Sequence, residues 1–244
     1  MVNMVQTHTW IKCWIGRCKM SKKPIKKSDG NKEWLASRGR KVVHTKLEYH
    51  MIICEGTETE PNYFEGMKKR ISEDNRRKVD IRVVGKGRGT ISLLNEAIRE
   101  VRNSTNYIST VWLVYDKDDF TDKDFNEVVK ECEKQNALGE TIYIPIWSNE
   151  CFENWILLHF DYFDTAITRD DCIKKLNRIF KDNKWGRYSK SDENIYEKLE
   201  PFQETAIENA KKQERLYSNQ LLSEMNPCTL VYRLVEFLKK YIKS

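Results

Sequence analysis

No apolar run in this chain approaches the ~20 residues needed to cross a bilayer, and the apolar cluster Trp10, Ile11, Trp14 and Ile15 is broken by Lys12 and Arg17, a poor signal-peptide core. The chain is accordingly read as soluble and cytoplasmic, with no membrane partner. A disulfide framework is also missing: the 7 cysteines are odd in number and dispersed at positions 13, 18, 54, 132, 151, 172 and 228. The one close pair, Cys13 and Cys18, has only His8 nearby and falls short of the ligands a zinc site requires. There is no internal repeat and no low-complexity tract. The glycine-rich stretch Gly85-Lys86-Gly87-Arg88-Gly89-Thr90 lacks the Gly-Lys-Ser/Thr ending of a Walker motif.

What the chain does have is charge, unevenly placed. Residues 1–48 carry 12 Lys/Arg against 3 Asp/Glu, a local +9, while the remainder sums to −3, so the net +6 belongs to the amino-terminal segment. Residues 1–46 lack sustained periodicity and read as a basic, flexible arm, either a solvated tail or a non-specific contact to phosphates. Met20, opening Met20-Ser21-Lys22-Lys23, is an alternative start.

From Leu47 the pattern becomes regular. Strands are expected at 49–54, 79–84, 110–115 and 141–146, with Pro145 marking an edge or strand end. Helices are expected between them: one from Glu60 to about Ser72 with Pro61 in its first turn, one carrying Ile91, Leu94, Ala97, Ile98 and Val101 on one face, and one marked by Phe125, Val128, Val129 and Cys132. Alternating strands and helices argue for an α/β core over 47–148, a mainly parallel four-stranded sheet flanked by helices. Beyond 149 the strand signal stops. Segments 150–160, 170–181, 192–199, 203–218 and 228–242 look helical, so 149–244 reads as a helical region packed on the core.

Two acidic clusters close predicted strands. Glu55-Gly56 ends Met51-Ile52-Ile53-Cys54, and Asp116-Lys117-Asp118-Asp119 ends Val111-Trp112-Leu113-Val114-Tyr115. Ligands of α/β sheets bind at the carboxyl ends of strands, and gathered carboxylates suit Mg²⁺ or Mn²⁺. If the first and third strands are neighbours, Glu55 faces Asp116. Asp118 points the same way as Asp116 if the segment stays extended. The alternative is a pair of solvated turns; Asp119 reads as a turn or cap residue as readily as a ligand. Glu153 lies at the edge of the apolar stripe Phe152, Trp155, Ile156 and His159, where it serves either the site or a boundary salt bridge. His159 reads as a core histidine or as a proton shuttle. Lys86 and Arg88, at a helix start, suit a phosphate or a plain loop. Lys184, Arg187 and Lys190, interleaved with Trp185 and Tyr188, suit nucleic acid by charge and stacking or a plain surface loop.

Several stretches resemble the RloB-like (abortive-infection type) family. They are Ile53-Cys54-Glu55-Gly56-Thr57-Glu58-Thr59-Glu60-Pro61-Asn62-Tyr63-Phe64, Tyr115-Asp116-Lys117-Asp118, the run from Ser148 to Phe160 around Glu153, and Asn226-Pro227-Cys228-Thr229. The order of the acids on a β-α-β-α-β frame is similar to the Toprim fold of topoisomerases, primases and OLD-type nucleases. The resemblance covers roughly 47–240. It implies a Toprim-like (Rossmannoid) metal-dependent phosphodiesterase in defence against phage, acting on DNA or RNA beside an ABC/OLD-type ATPase. It also implies Glu55 as metal ligand or general base, with Asp116, Asp118 and Glu153 as ligands. Homo-oligomerisation is left open. A non-catalytic sensor or scaffold for the ATPase, and a hydrolase of a small nucleotide messenger, are the alternatives.

Overall fold

The computed structural model describes residues 47–242 apart from 88, 119, 218 and 219. The amino-terminal arm, Met20, the Cys13/Cys18 pair, Arg88 and Asp119 therefore lie outside the described residues. Lys46–Ser244 form one compact unit. In chain order its elements are β1 (Glu48–Cys54), α1 (Thr59–Lys69), the single-turn α2 (Glu73–Arg76), β2 (Val79–Gly85), α3 (Thr90–Asn103), β3 (Ile108–Asp116), α4 (Asp122–Leu138) and β4 (Ile142–Asn149). They continue with α5 (Glu153–Leu157), α6 (Arg169–Asp182), α7 (Ile195–Leu199), α8 (Gln203–Leu216), β5 (Cys228–Thr229) and α9 (Val231–Lys239).

The sheet runs β2-β1-β3-β4-β5. Its first four strands are parallel. β1, β3 and β4 are largely buried, which is why they read as near-continuous apolar runs, whereas the edge strand β2 alternates buried Val79 and Ile81 with exposed Asp80 and Arg82. The path from β1 through α1 to β2 leaves on one side, and the path through α3 to β3 returns on the other. Strand order therefore reverses between β1 and β3, and a crevice opens at their carboxyl ends. Register sets Cys54 beside Val114, so the residues that follow each strand meet at that crevice.

The sheet has five strands rather than the expected four. Cys228 and Thr229 pair antiparallel with Asn149 and Ser148, and Thr229 Oγ1 lies 3.0 Å from Ser148 Oγ. Two residues are too few to show a period of 2, and the apolar stripe of α9 directly after them reads as one longer helix. Pro145 fits this arrangement, because β5 pairs with β4 only at Ser148 and Asn149, beyond the proline. The helical stretch expected over 150–160 is likewise shorter, and α5 proper spans Glu153–Leu157.

Helix starts follow local chemistry. Thr121 caps α4 by accepting from Asp124 N–H at 3.2 Å, and Thr168 caps α6 by accepting from Asp171 N–H at 3.3 Å. The carboxy-terminal half shares the core of the sheet. Phe237 of α9 packs on Trp112 of β3, ring centroids 4.8 Å apart, and Phe152 and Trp155 pack edge-on to Tyr63 of α1.

Candidate acidic cleft

Glu55 prolongs β1, and its N–H donates to Val114 O at 2.8 Å. Asp116 ends β3, and its own N–H donates to Glu55 Oε2 at 3.1 Å. The Glu55 carboxylate thus meets the backbone of Asp116, 61 positions away in the chain. Asp116 is held from a third element: its Oδ2 accepts from Phe152 N–H at 3.0 Å. Its Oδ1 is buried without a hydrogen-bond partner.

Asp118 also reaches the cleft, but not along an extended chain. Its φ is +37° and its N–H donates to Glu150 O at 3.0 Å, so a tight turn beside β4 re-aims it. Aspartate tolerates the left-handed region better than most side chains. Glu153, at the start of α5, is 2% exposed. Its Oε1 accepts from Tyr188 OH at 3.0 Å and lies 3.3 Å from Lys190 Nζ.

Two residues join the cleft that the sequence reading missed. Glu60, at the first turn of α1, is 6% exposed. Its carboxylate folds back over Gly56, where an added Cβ would come within 2.3 Å of Glu60 Oε2. In sequence Glu60 reads only as the start of a helix, and the packing of α1 turns its carboxylate into the cleft. Arg169, the first residue of α6, is ion-paired with Asp118. Beside Asp170 and Asp171 it reads in sequence as an ordinary surface residue, and only the docking of α6 brings it inward.

Glu55, Glu60, Asp116, Asp118, Glu153, Arg169 and Lys190 line one solvent-open cleft of about 240 Å³. Crowded acids resist ionisation. Burial first, then the nearby Glu60, raises the Glu55 carboxyl to about 7, against the hydrogen bond from Asp116 N–H and the charge of Arg169, which lower it. Burial raises Asp116 well above the carboxylate range, and Glu60, Glu153 and Glu55 add to the effect. Glu60 is raised by burial and by Glu153.

The donor set fits a hard divalent cation. It is oxygen-only, mutually repulsive when ionised, and includes a buried Asp116 oxygen with no partner. As the side chains stand, no three His, Cys, Asp or Glu among the described residues are already grouped to hold a metal; Arg169 and Lys190 occupy that role toward Asp118 and Glu153.

The remaining sequence candidates lie elsewhere. Lys86 pairs with Glu96 of α3 at 2.9 Å and also with Glu100, which neutralises its charge away from the cleft. Arg187 lines a separate basic basin. His159 is a core residue: it is 1% exposed, with Nδ1 3.0 Å from Trp155 O and its ring packed on Trp155. Burial lowers its pKa to about 4. It does not line the cleft.

A family model described as RloB-like protein matches residues 50–238. No curated protein matches the chain, and no solved structure does.

Proposed function

We propose that this chain, which belongs to the RloB-like family, is a Mg²⁺- or Mn²⁺-dependent phosphodiesterase acting on nucleic acid, the effector of an anti-phage defence system with a partner ATPase. Family membership is consistent with the defence role. The observation that carries the chemistry is the contact between Glu55 and Asp116 at the strand-order reversal, inside a cleft that also gathers Glu60, Asp118 and Glu153. Asp116, Asp118 and Glu153 are the residues that would hold the ion, with Glu55 as a further ligand or as base. Bound there, a divalent ion supplies charge neutralisation for a phosphoryl oxygen and a more acidic water.

The protein's own groups account for the rest. Glu55, with its carboxyl near 7, suits proton acceptance from an attacking water at neutral pH. Lys190 and Arg169, the cations at the cleft, suit the non-bridging oxygens of a phosphodiester. The peptide N–H of Phe152 holds Asp116 in place, and Tyr188 does the same for Glu153.

One observation favours a second reading. Arg169 and Lys190 already compensate two of the acids, which suits a non-catalytic module that binds the ATPase. Calorimetry with Mn²⁺ separates the two. The nuclease reading expects Mn²⁺ binding that Asp116→Asn weakens, and cleavage of DNA or RNA, with or without the ATPase, that Asp116→Asn abolishes. Cleavage that survives Glu55→Ala combined with Asp116→Ala rules it out. Hydrolysis of a small cyclic or linear nucleotide, with polymers left intact, would move the substrate to the messenger class.

A further inference from the structure

Every third residue from Arg178 to Lys190 is a cation: Arg178, Lys181, Lys184, Arg187 and Lys190. Helical spacing does not account for the whole series, because α6 ends at Asp182 and the last three lie in the loop that follows. Lys181, Lys184 and Arg187, with Asn177 and Gly186, line an open basin of about 650 Å³. No acidic side chain lines it, and among the described residues none of its three cations has an ion partner. Neighbouring Lys174, by contrast, is paired with Asp171 at 3.0 Å. The carboxyl end of α6 contributes about half a negative charge here, which three cations outweigh.

The basin is preformed. Asn177 Oδ1 accepts from Tyr188 N–H at 3.2 Å and ties the loop to α6. Lys184 N–H donates to Lys181 O and Trp185 N–H to Phe180 O, a Schellman turn in which Trp185 packs on Phe180 with centroids 5.4 Å apart. The residue at the left-handed position of that turn is Lys184, φ +62°, where glycine carries no penalty and any other side chain costs about 1–2 kcal/mol. A lysine kept at a strained position points to a use for its ammonium group.

Stacking is not that use. Trp185 packs inward on Phe180 and Phe160. Tyr188 is 7% exposed and donates to Glu153. The aromatics that the sequence offered as base platforms serve the core, which leaves the basin with charge alone. The same loop then runs back to the cleft, where Lys190 meets Glu153 and Thr59 OH donates to Lys190 O at 3.2 Å.

We infer that the Lys181–Lys184–Arg187 basin is an exosite for the phosphodiester backbone of a nucleic acid strand, contacting phosphates beside the acidic cleft without reading bases. The substrate role of the bound strand rests on the phosphodiesterase reading above; the basin's ability to bind it does not.

The test uses the full chain and a fluorescein-labelled single strand of about 20 nucleotides, as DNA and as RNA, followed by anisotropy between about 50 and 200 mM salt. Binding is measured without divalent ions. The variant is Lys181→Gln/Lys184→Gln/Arg187→Gln. The control is Lys123→Gln/Lys130→Gln/Lys134→Gln on α4, with the same loss of charge. All six side chains are exposed, so both variants are expected to fold, and a thermal melt checks this.

The basin variant should bind DNA or RNA at least about tenfold more weakly at the low-salt end and lose about 2 from the slope of log K against log[salt], three phosphates at ~0.7 each. The control should keep the native slope. Equal binding by the two variants, or native capture of anionic phosphatidylserine vesicles in place of either oligonucleotide, overturns the inference. A native chain that binds through the basin yet cuts nothing with Mn²⁺ and its partner would sink the phosphodiesterase reading and leave the exosite standing. A basin variant that binds and cuts as the native chain does would sink the exosite alone.

Discussion

Glu55 couples the cleft to pH. Its carboxyl titrates near 7 in the folded chain against an ordinary 4.5, so between those values the folded state keeps a proton that the unfolded state releases. The stability associated with that proton is whole below about pH 4.5 and is lost as pH rises through 7, by up to about 1.4 kcal/mol per pH unit. In metal-free buffer, melting temperature should therefore fall from pH 5 toward 7, and Glu55→Gln should flatten that slope; an unchanged slope in the variant contradicts the assignment. Asp116→Asn removes a carboxyl whose ionisation burial opposes, so it should raise the metal-free melting temperature near pH 8 while it abolishes cleavage. A loss of stability at that pH would mean that the contacts of the carboxyl, such as the one from Phe152 N–H, outweigh its burial. At this scale the sequence was readable where a strand delivers a residue directly, as for Glu55 and Asp116. It was less so where a turn re-aims one, since Asp118 reaches the cleft through φ +37° rather than an extended segment. Glu60 and Arg169 needed the packing of α1 and α6, which no local pattern encodes.

Among the elements, the end of α6 offers the sharpest test. Lys184→Gly should stabilise the chain by about 1 kcal/mol, because glycine occupies the left-handed position without a Cβ penalty. Chemical denaturation measures the gain, and a loss instead would show that the lysine side chain contributes packing. At β5, Thr229→Val leaves the buried Ser148 hydroxyl without its 3.0 Å partner, and should cost about 1–3 kcal/mol in the same measurement. The long elements were legible because their periods repeat: α3 and α6 carry clear apolar stripes, and β3 is a buried-type run. β5 was not, because pairing with β4 rather than intrinsic pattern makes those two residues a strand.

For the molecule as a whole, the division at 149 marks a change of secondary structure within one shared core. Residues 149–242 supply Phe152, Trp155, Leu234, Val235 and Phe237 to the packing around the sheet. A chain ending at Ser148 would expose the partners of those side chains and should lack a cooperative unfolding transition and a near-ultraviolet circular dichroism signal. A well-folded fragment would show instead that 47–148 is autonomous. The parallel α/β character was recoverable from the alternation of strands and helices. The way the later segments bring Glu153, Arg169 and Lys190 to the crevice was not, because it depends on contacts between residues far apart in sequence.

Most of the cleft's acids are made before either of its cations. Glu55, Glu60, Asp116 and Asp118 emerge first; Glu153, Arg169 and Lys190 come later. At about 5–20 residues per second, the roughly 135 positions from Glu55 to Lys190 take about 7–27 s to translate. During that interval a ribosome-bound chain carries those carboxylates without their counter-charges or the loop that leads to them, so the charge balance of the cleft is reached only once Lys190 has emerged.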